Sequence, residues 1–361
     1  MPLVAHSKLP SFARLEAEGE EVLALERAHQ QDIRELHIGL LNMMPDSALQ
    51  ATERQFLRLV GGCNRIAQFY VHPFTVRGID RSSETQAYID THYASFDDLE
   101  RTGLDALIIT GANVTQSDFS KEPFWPELQA VLDFAAKKVT STLCACLATH
   151  AALRHFHGIE RRGLEAKCWG VFEHQTLSAK HPLTRNINTR FHVPHSRFND
   201  ISVDQARAAG LRVLVESQTA GLHLAVSEDL MRFVYFQGHP EYDRNSLLKE
   251  YKRELGRFAA GTLSSLPPLP EKYMLTEGVN HCAQFASDLT HAENPEEFLM
   301  QFPEDEVLNA IDNTWGDTAK IIFNNWLGTV YQLTNRDRTK PFMPGIDPAD
   351  PLQLKAQMTT V

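Results

Sequence analysis

Cysteine is scarce in this chain, with five in 361 residues: Cys63, Cys144, Cys146, Cys168 and Cys282. The number is odd and no Cys-x-x-Cys spacing occurs, so neither a disulfide framework nor a zinc site is expected. Long apolar runs are missing too. No stretch reaches the roughly 18 consecutive apolar residues of a spanning helix, and Met1–Glu21 has no apolar leader core. The sequence therefore predicts a soluble, cytoplasmic protein with no membrane partner. Positive charge is in short supply: Asp and Glu number 46 against 35 Lys and Arg, the net charge is −11, and no basic block stands out. A surface built for nucleic acid or anionic lipid is excluded as the main feature. No repeat of solenoid period is present. What remains is 43% hydrophobic and 22% charged, an ordinary globular composition.

Apolar runs then alternate with amphipathic ones. Leu36–Asn42, Ile66–Val71 and Leu104–Thr110 read as buried strands, and Ala48–Leu59, Ser82–Tyr93 and Trp125–Lys137 as helices. Strand–helix alternation with apolar strands predicts an α/β fold, a parallel-rich sheet with helices on both faces. Residues 1–35 read as an N-terminal arm with one helix around Glu16–His29, and 36–262 as the catalytic α/β domain. Residues 160–200 break the alternation and read as short strands or loops. Leu211–Glu216, Leu222–Val226 and Arg232–Gln237 form a late run of strands, followed by a helix over Asn245–Phe258. Residues 263–335 read as an irregular insertion and a C-terminal helix (Thr318–Leu333) packing on the catalytic domain. The Pro- and Asp-rich tail, 336–361, is expected to be loose.

Two stretches carry chemistry. From Val139 to Leu153 the chain changes from Thr, Val and Leu, a strand composition, to Leu and Ala at helical spacing. Cys146 falls at that elbow. A thiol there meets the positive end of a helix dipole, which favours the thiolate, and the first helical N–H groups, from Leu147, can donate to an oxyanion. The alternative is a small core residue, the commoner fate of a cysteine. Ligands on such sheets bind at the carboxyl ends of the strands, so Gly111 and Cys146 are expected to share a crevice. The second stretch, Gly238-His239-Pro240-Glu241-Tyr242-Asp243, follows another apolar strand. In extended chain, residues 239 and 241 point the same way, and a carboxylate two residues on can orient an imidazole. Taken together, the elbow and the His-x-Glu point to a Cys–His–Glu triad performing acyl transfer or hydrolysis through a thioester.

Several motifs resemble, in order and spacing, those of the homoserine O-succinyltransferase family. They are Leu41–Pro45, Ile109–Ala112, Val139–Ile159, Gly170–His174, Pro194–Arg197, Gly238–Asp243, Asn313–Trp315 and Asn325–Leu327. The resemblance implies a class I glutamine-amidotransferase-like fold. It also implies succinyl transfer from succinyl-CoA, a co-substrate rather than a cofactor, to the hydroxyl of L-homoserine in methionine biosynthesis. By position, Cys146 matches the nucleophile, His239 the base and Glu241 its partner. Lys167 matches a substrate-binding lysine, Ser196 a residue near the acyl group and substrate, and Arg253 the arginine that holds the homoserine carboxylate. Backbone amides near Gly111 and Leu147 would form the oxyanion hole. Thr115 matches a position where acetyl-transferring relatives carry Glu and succinyl-transferring ones Gly. An uncharged Thr115 points to succinyl. A homodimer without metal is expected.

The chain departs from the family pattern at Asp46-Ser47, where relatives are often basic, at Thr149-His150, where Gln is common, and at Gly316-Asp317, which lacks the usual Arg. An insertion falls around 277–310. Acetyl transfer on the same scaffold, an amidotransferase-like hydrolase using the same triad, and a non-catalytic binding protein are the competing readings.

Overall fold

The structure, a computed structural model, describes residues 3–355 except 65, 115 and 117. Eleven strands follow one another as β1 (Val4–Ala5), β2 (Leu23–Ala24), β3 (Glu35–Met43), β4 (Gln68–Phe74), β5 (Ala106–Ala112), β6 (Ser141–Ala145), β7 (Arg162–Thr176), β8 (Arg190–Asp200), β9 (Arg212–Ser217), β10 (Gly221–Val226) and β11 (Phe233–Phe236). Strands β1 and β2 pair in parallel as a separate ribbon, and the other nine form one sheet in the order β4-β3-β5-β6-β11-β10-β9-β7-β8. From β4 to β11 the pairing is parallel, and from β11 to β8 it is antiparallel. The fold is the α/β class that the alternation predicts.

Side-chain alternation along the strands separates two cores. Ile38, Leu40 and Ile108 face the helices Asp46–Gly61 and Gly316–Leu333, meeting Phe56, Phe323 and Trp326. Leu41, Leu107 and Ile109 face the helices Trp125–Lys138 and Leu147–His157. A third core lies on the outer part of the sheet, where Trp169 and Val171 meet the helices Ser246–Ala259 and Thr276–His291.

Four regions differ from expectation. Residues 160–200 hold the two longest strands, of 15 and 11 residues, paired as an antiparallel hairpin. Their outward faces are polar, so the sequence shows no apolar run. The arm is not one helix but two, Pro10–Ala17 and Leu25–His29, with β2 between them. The irregular stretch contains a 16-residue helix, Thr276–His291, whose buried stripe is Cys282, Phe285, Ala286 and Leu289. The tail is not loose as far as residue 355. Phe342 is buried in the first core, Thr140 donates to the Pro341 carbonyl, and the Met343 N–H donates to Leu333 O at 3.0 Å. Among the described residues, no helix is long and apolar enough to cross a membrane.

Candidate active site

Cys146 stands between β6 and the helix Leu147–His157 with φ 51° and ψ −107°. A non-glycine residue at positive φ is strained and persists only where its surroundings over-determine it. Here they do. The Cys146 N–H donates to Phe236 O of β11 at 2.8 Å, and Thr149 N–H donates to Cys146 O at 3.0 Å. The Thr149 hydroxyl is shared between Cys144 O at 2.9 Å and Phe236 O at 2.8 Å, binding the elbow to β11. His150 donates through Nε2 to Gln237 Oε1 at 2.9 Å, and Gln237 donates to Asp200 Oδ1 at 3.0 Å. Burial lowers the His150 pKa to about 4, only partly offset by Gln237, so it is neutral. Thr149 and His150, departures from the family pattern, thus serve as the ties that hold the elbow.

The parallel pairing of β6 with β11 brings the second motif alongside, since Ala145 lies opposite Phe236. The His239 N–H donates to Pro194 O at 2.8 Å. His239 Nδ1 donates to Glu241 Oε1 at 2.7 Å, and the Tyr242 ring stacks on the imidazole with centroids 4.3 Å apart. Nε2 of His239 is buried without a hydrogen-bond partner, and the Cys146 side chain is near enough to act on the imidazole. Burial pulls the His239 pKa down, but Cys146 and then Glu241, acting as charges and as hydrogen-bond acceptors, hold it well above its ordinary value. The arrangement suits a thiolate–imidazolium pair. Cys146, His239 and Glu241 are therefore together. β5 pairs with β6 as far as Ile109 opposite Cys144, so Gly111, two residues on in β5, and Cys146, the residue after β6, both lie at the carboxyl ends of these neighbouring strands. Leu147 is the first residue of its helix, with no partner for its N–H inside it.

Lys167 and Ser196 converge on a carboxylate that no sequence pattern marks, Glu250. Glu250 Oε2 accepts from Ser196 Oγ at 2.5 Å and from Lys167 Nζ at 3.1 Å, while its Oε1 accepts from Tyr242 at 2.7 Å. Burial raises the Glu250 pKa, yet Lys167 first, then Ser196 and Tyr242, bring it below the ordinary carboxylate value. Lys167 lies 3.9 Å above the Trp169 ring. Burial lowers its pKa, with Glu250 opposing. Arg253, on the helix Ser246–Ala259, is half exposed and contacts Glu254 at 3.2 Å, near enough for its charge to act on Lys167. Thr115 lies outside the described residues. Asp46, a departure from the basic residues common there in the family, accepts from Arg81 at 3.2 Å and from the Ser82 N–H at 2.8 Å, an anion serving the start of the helix Asp46–Gly61.

The homoserine O-succinyltransferase family profile matches residues 2–336. The homoserine O-succinyltransferase of Nitrosococcus oceani is 56% identical over 355 residues, covering 98% of this chain and 99% of the relative. That of Methylococcus capsulatus is 55% identical over 354 residues, 98% of this chain and all of the relative. Among solved structures, the chain is similar to a glutamine amidotransferase of Thermotoga maritima at 11% identity and TM-score 0.39, over 83% of this chain and 98% of that one. The glutamine amidotransferase of Methylobacillus flagellatus stands at 13% identity and TM-score 0.43, over 82% and 95%. This chain, an acyltransferase by that kinship, belongs to the homoserine O-succinyltransferase family.

Proposed function

We propose that this chain moves the succinyl group of succinyl-CoA onto the hydroxyl of L-homoserine through an acyl-enzyme on Cys146, an early step towards methionine. The observation that carries the reading is the junction of Cys146, His239 and Glu241 across β6 and β11 in a chain of this family. His239 accepts the Cys146 proton, and Glu241 stabilises the imidazolium. The thiolate attacks the thioester carbonyl. The resulting oxyanion lies within reach of the Leu147 N–H at the helix start and of the backbone at Gly111. As the tetrahedral species collapses, the carbon–sulfur bond to coenzyme A breaks and His239 returns its proton to the departing thiolate. In the second half, His239 takes the homoserine hydroxyl proton, the alkoxide attacks the thioester on Cys146, and the thiolate leaves. Arg253 holds the amino-acid carboxylate as a charge-assisted pair, and Lys167 and Ser196, gathered on Glu250, line the acceptor side.

The test is intact-mass spectrometry after mixing with succinyl-CoA alone, then with L-homoserine. A succinyl adduct on the wild type, absent from Cys146→Ser and discharged by homoserine, is the expected result. An adduct that persists in Cys146→Ser overturns the assignment of the nucleophile. A wild type acylated faster by acetyl-CoA in direct competition overturns the donor.

A further inference from the structure

The basic side chains around the elbow differ in what they face. Lys167 is committed to Glu250 at 3.1 Å, Arg253 to Glu254 at 3.2 Å, and Arg154 to Asp118 at 2.9 Å and to Glu160. Arg161 is different. Its guanidinium lies over the Phe119 ring with Cζ 4.5 Å from the centroid, and Nη2 donates to the Gln116 carbonyl at 3.1 Å. Nη1 is buried and has no hydrogen-bond partner. A buried donor without an acceptor is costly, and more so on a cation. Such an orphan calls for a partner that the protein itself does not supply, an ordered water or a bound anion.

The position of this guanidinium says which ligand. The helix Leu147–His157 starts just after Cys146 and the chain beyond it reaches Arg161, and Gln116 lies five residues past Gly111, beyond the end of β5, the strand paired with β6. Burial lowers the Arg161 pKa, and Glu122 first, then Cys146, oppose it. The guanidinium is thus near enough to the nucleophile to feel its charge. The residues it rests against are themselves tied: Gln116 N–H donates to Glu122 Oε1 at 2.7 Å, and Asp118, next to Phe119, pairs with Arg154. An acyl group on Cys146 that ends in a carboxylate would bring an anion towards an unfilled N–H of a fixed arginine. A neutral acyl group of the same length would leave that N–H unfilled.

We propose that Arg161 is the specificity-determining residue for the donor, pairing its free Nη1 with the distal carboxylate of the acyl group carried to Cys146. This rests on the reading of Cys146 as the acyl-accepting nucleophile. The pairing would select dicarboxylic monoacyl thioesters over neutral ones, because a guanidinium matches a carboxylate in charge and geometry.

The experiment compares succinyl-CoA with butyryl-CoA, which has the same chain length and coenzyme A but no terminal charge. For the wild type, Arg161→Gln and Arg161→Lys, kcat/KM with each donor is measured, together with the acyl adduct by intact mass. Arg161→Gln is expected to lose about 10- to 100-fold with succinyl-CoA, the size of one charge-assisted hydrogen bond, and to change less than about 3-fold with butyryl-CoA. Arg161→Lys recovers part of the succinyl rate. An equal loss with both donors assigns Arg161 to coenzyme A or to loop structure and overturns the proposal, as does an unchanged succinyl rate. A wild type that forms no adduct with either donor instead refutes the acyl-enzyme reading, a failure separate from that of Arg161.

Discussion

Glu250→Gln is the substitution whose cost can be worked from geometry. The replacement keeps shape and removes one charge. Lys167 Nζ lies 3.1 Å from Glu250 Oε2, and each side chain is only 14% exposed. At that distance and an effective dielectric near 20, the bare attraction is about 5 kcal/mol. Desolvation of both ions cancels part of it, but removing one partner leaves the other ion buried and unpaired, which costs roughly 3 kcal/mol at the low end of the buried range. Taking about 2 °C per kcal/mol for a chain this large, the melting temperature falls by about 6 °C. The loss depends on pH. The folded-state pKa of Glu250 lies below the ordinary 4.5, so its contribution is complete above that value and disappears as pH falls through the folded pKa. The gap between wild type and Glu250→Gln is therefore full at pH 7 and narrows towards pH 4. Differential scanning fluorimetry at both pH values reads it, with Lys167→Met and the double variant closing a cycle. Equal melting temperatures at pH 7, or a gap that widens in acid, would refute the ion-pair argument.

Two further outcomes follow from the same region. Glu241→Gln removes one of the two groups that raise His239, so the limb of the kcat/KM profile set by His239 moves to lower pH and kcat falls; a profile that stays in place would separate Glu241 from the base. In Gly238→Ala the new methyl would stand 2.6 Å from Val193 Cγ1 and 2.8 Å from His195 Nε2, both on buried side chains with nowhere to go, so about 1–3 kcal/mol of stability is lost and the rate falls with the shifted His239, as thermal unfolding and steady-state rates will report.

Legibility in the sequence followed locality. The Cys146 elbow and the His-x-Glu were readable because each is a change of pattern within a few residues: strand to helix at one, strand to turn at the other. Glu250 was not, because nothing near it in the chain marks it. It sits among Lys, Arg and Glu on an amphipathic helix and gains its role from Lys167, Ser196 and Tyr242, brought in by the β7–β8 hairpin and the turn after β11. That hairpin was itself hidden, since strands with polar outer faces give no apolar run. The tail was misread for a similar reason. A Pro- and Asp-rich composition suggested looseness, while one aromatic, Phe342, with a few backbone bonds suffices to dock it. The helix Thr276–His291 was legible only as part of the acidic helical patches expected after Pro270, because polar residues stand between its buried ones.

Strands β6 and β11 are neighbours in the sheet, yet residues 146–232 lie between them in the chain. On the ribosome, Cys146 leaves the exit tunnel long before His239 has been joined to the peptide. Until β11 slots in beside β6, the thiol has no base next to it and its N–H has no Phe236 carbonyl to hold the elbow. The sheet order thus brings His239 to Cys146 only after the central sheet has closed.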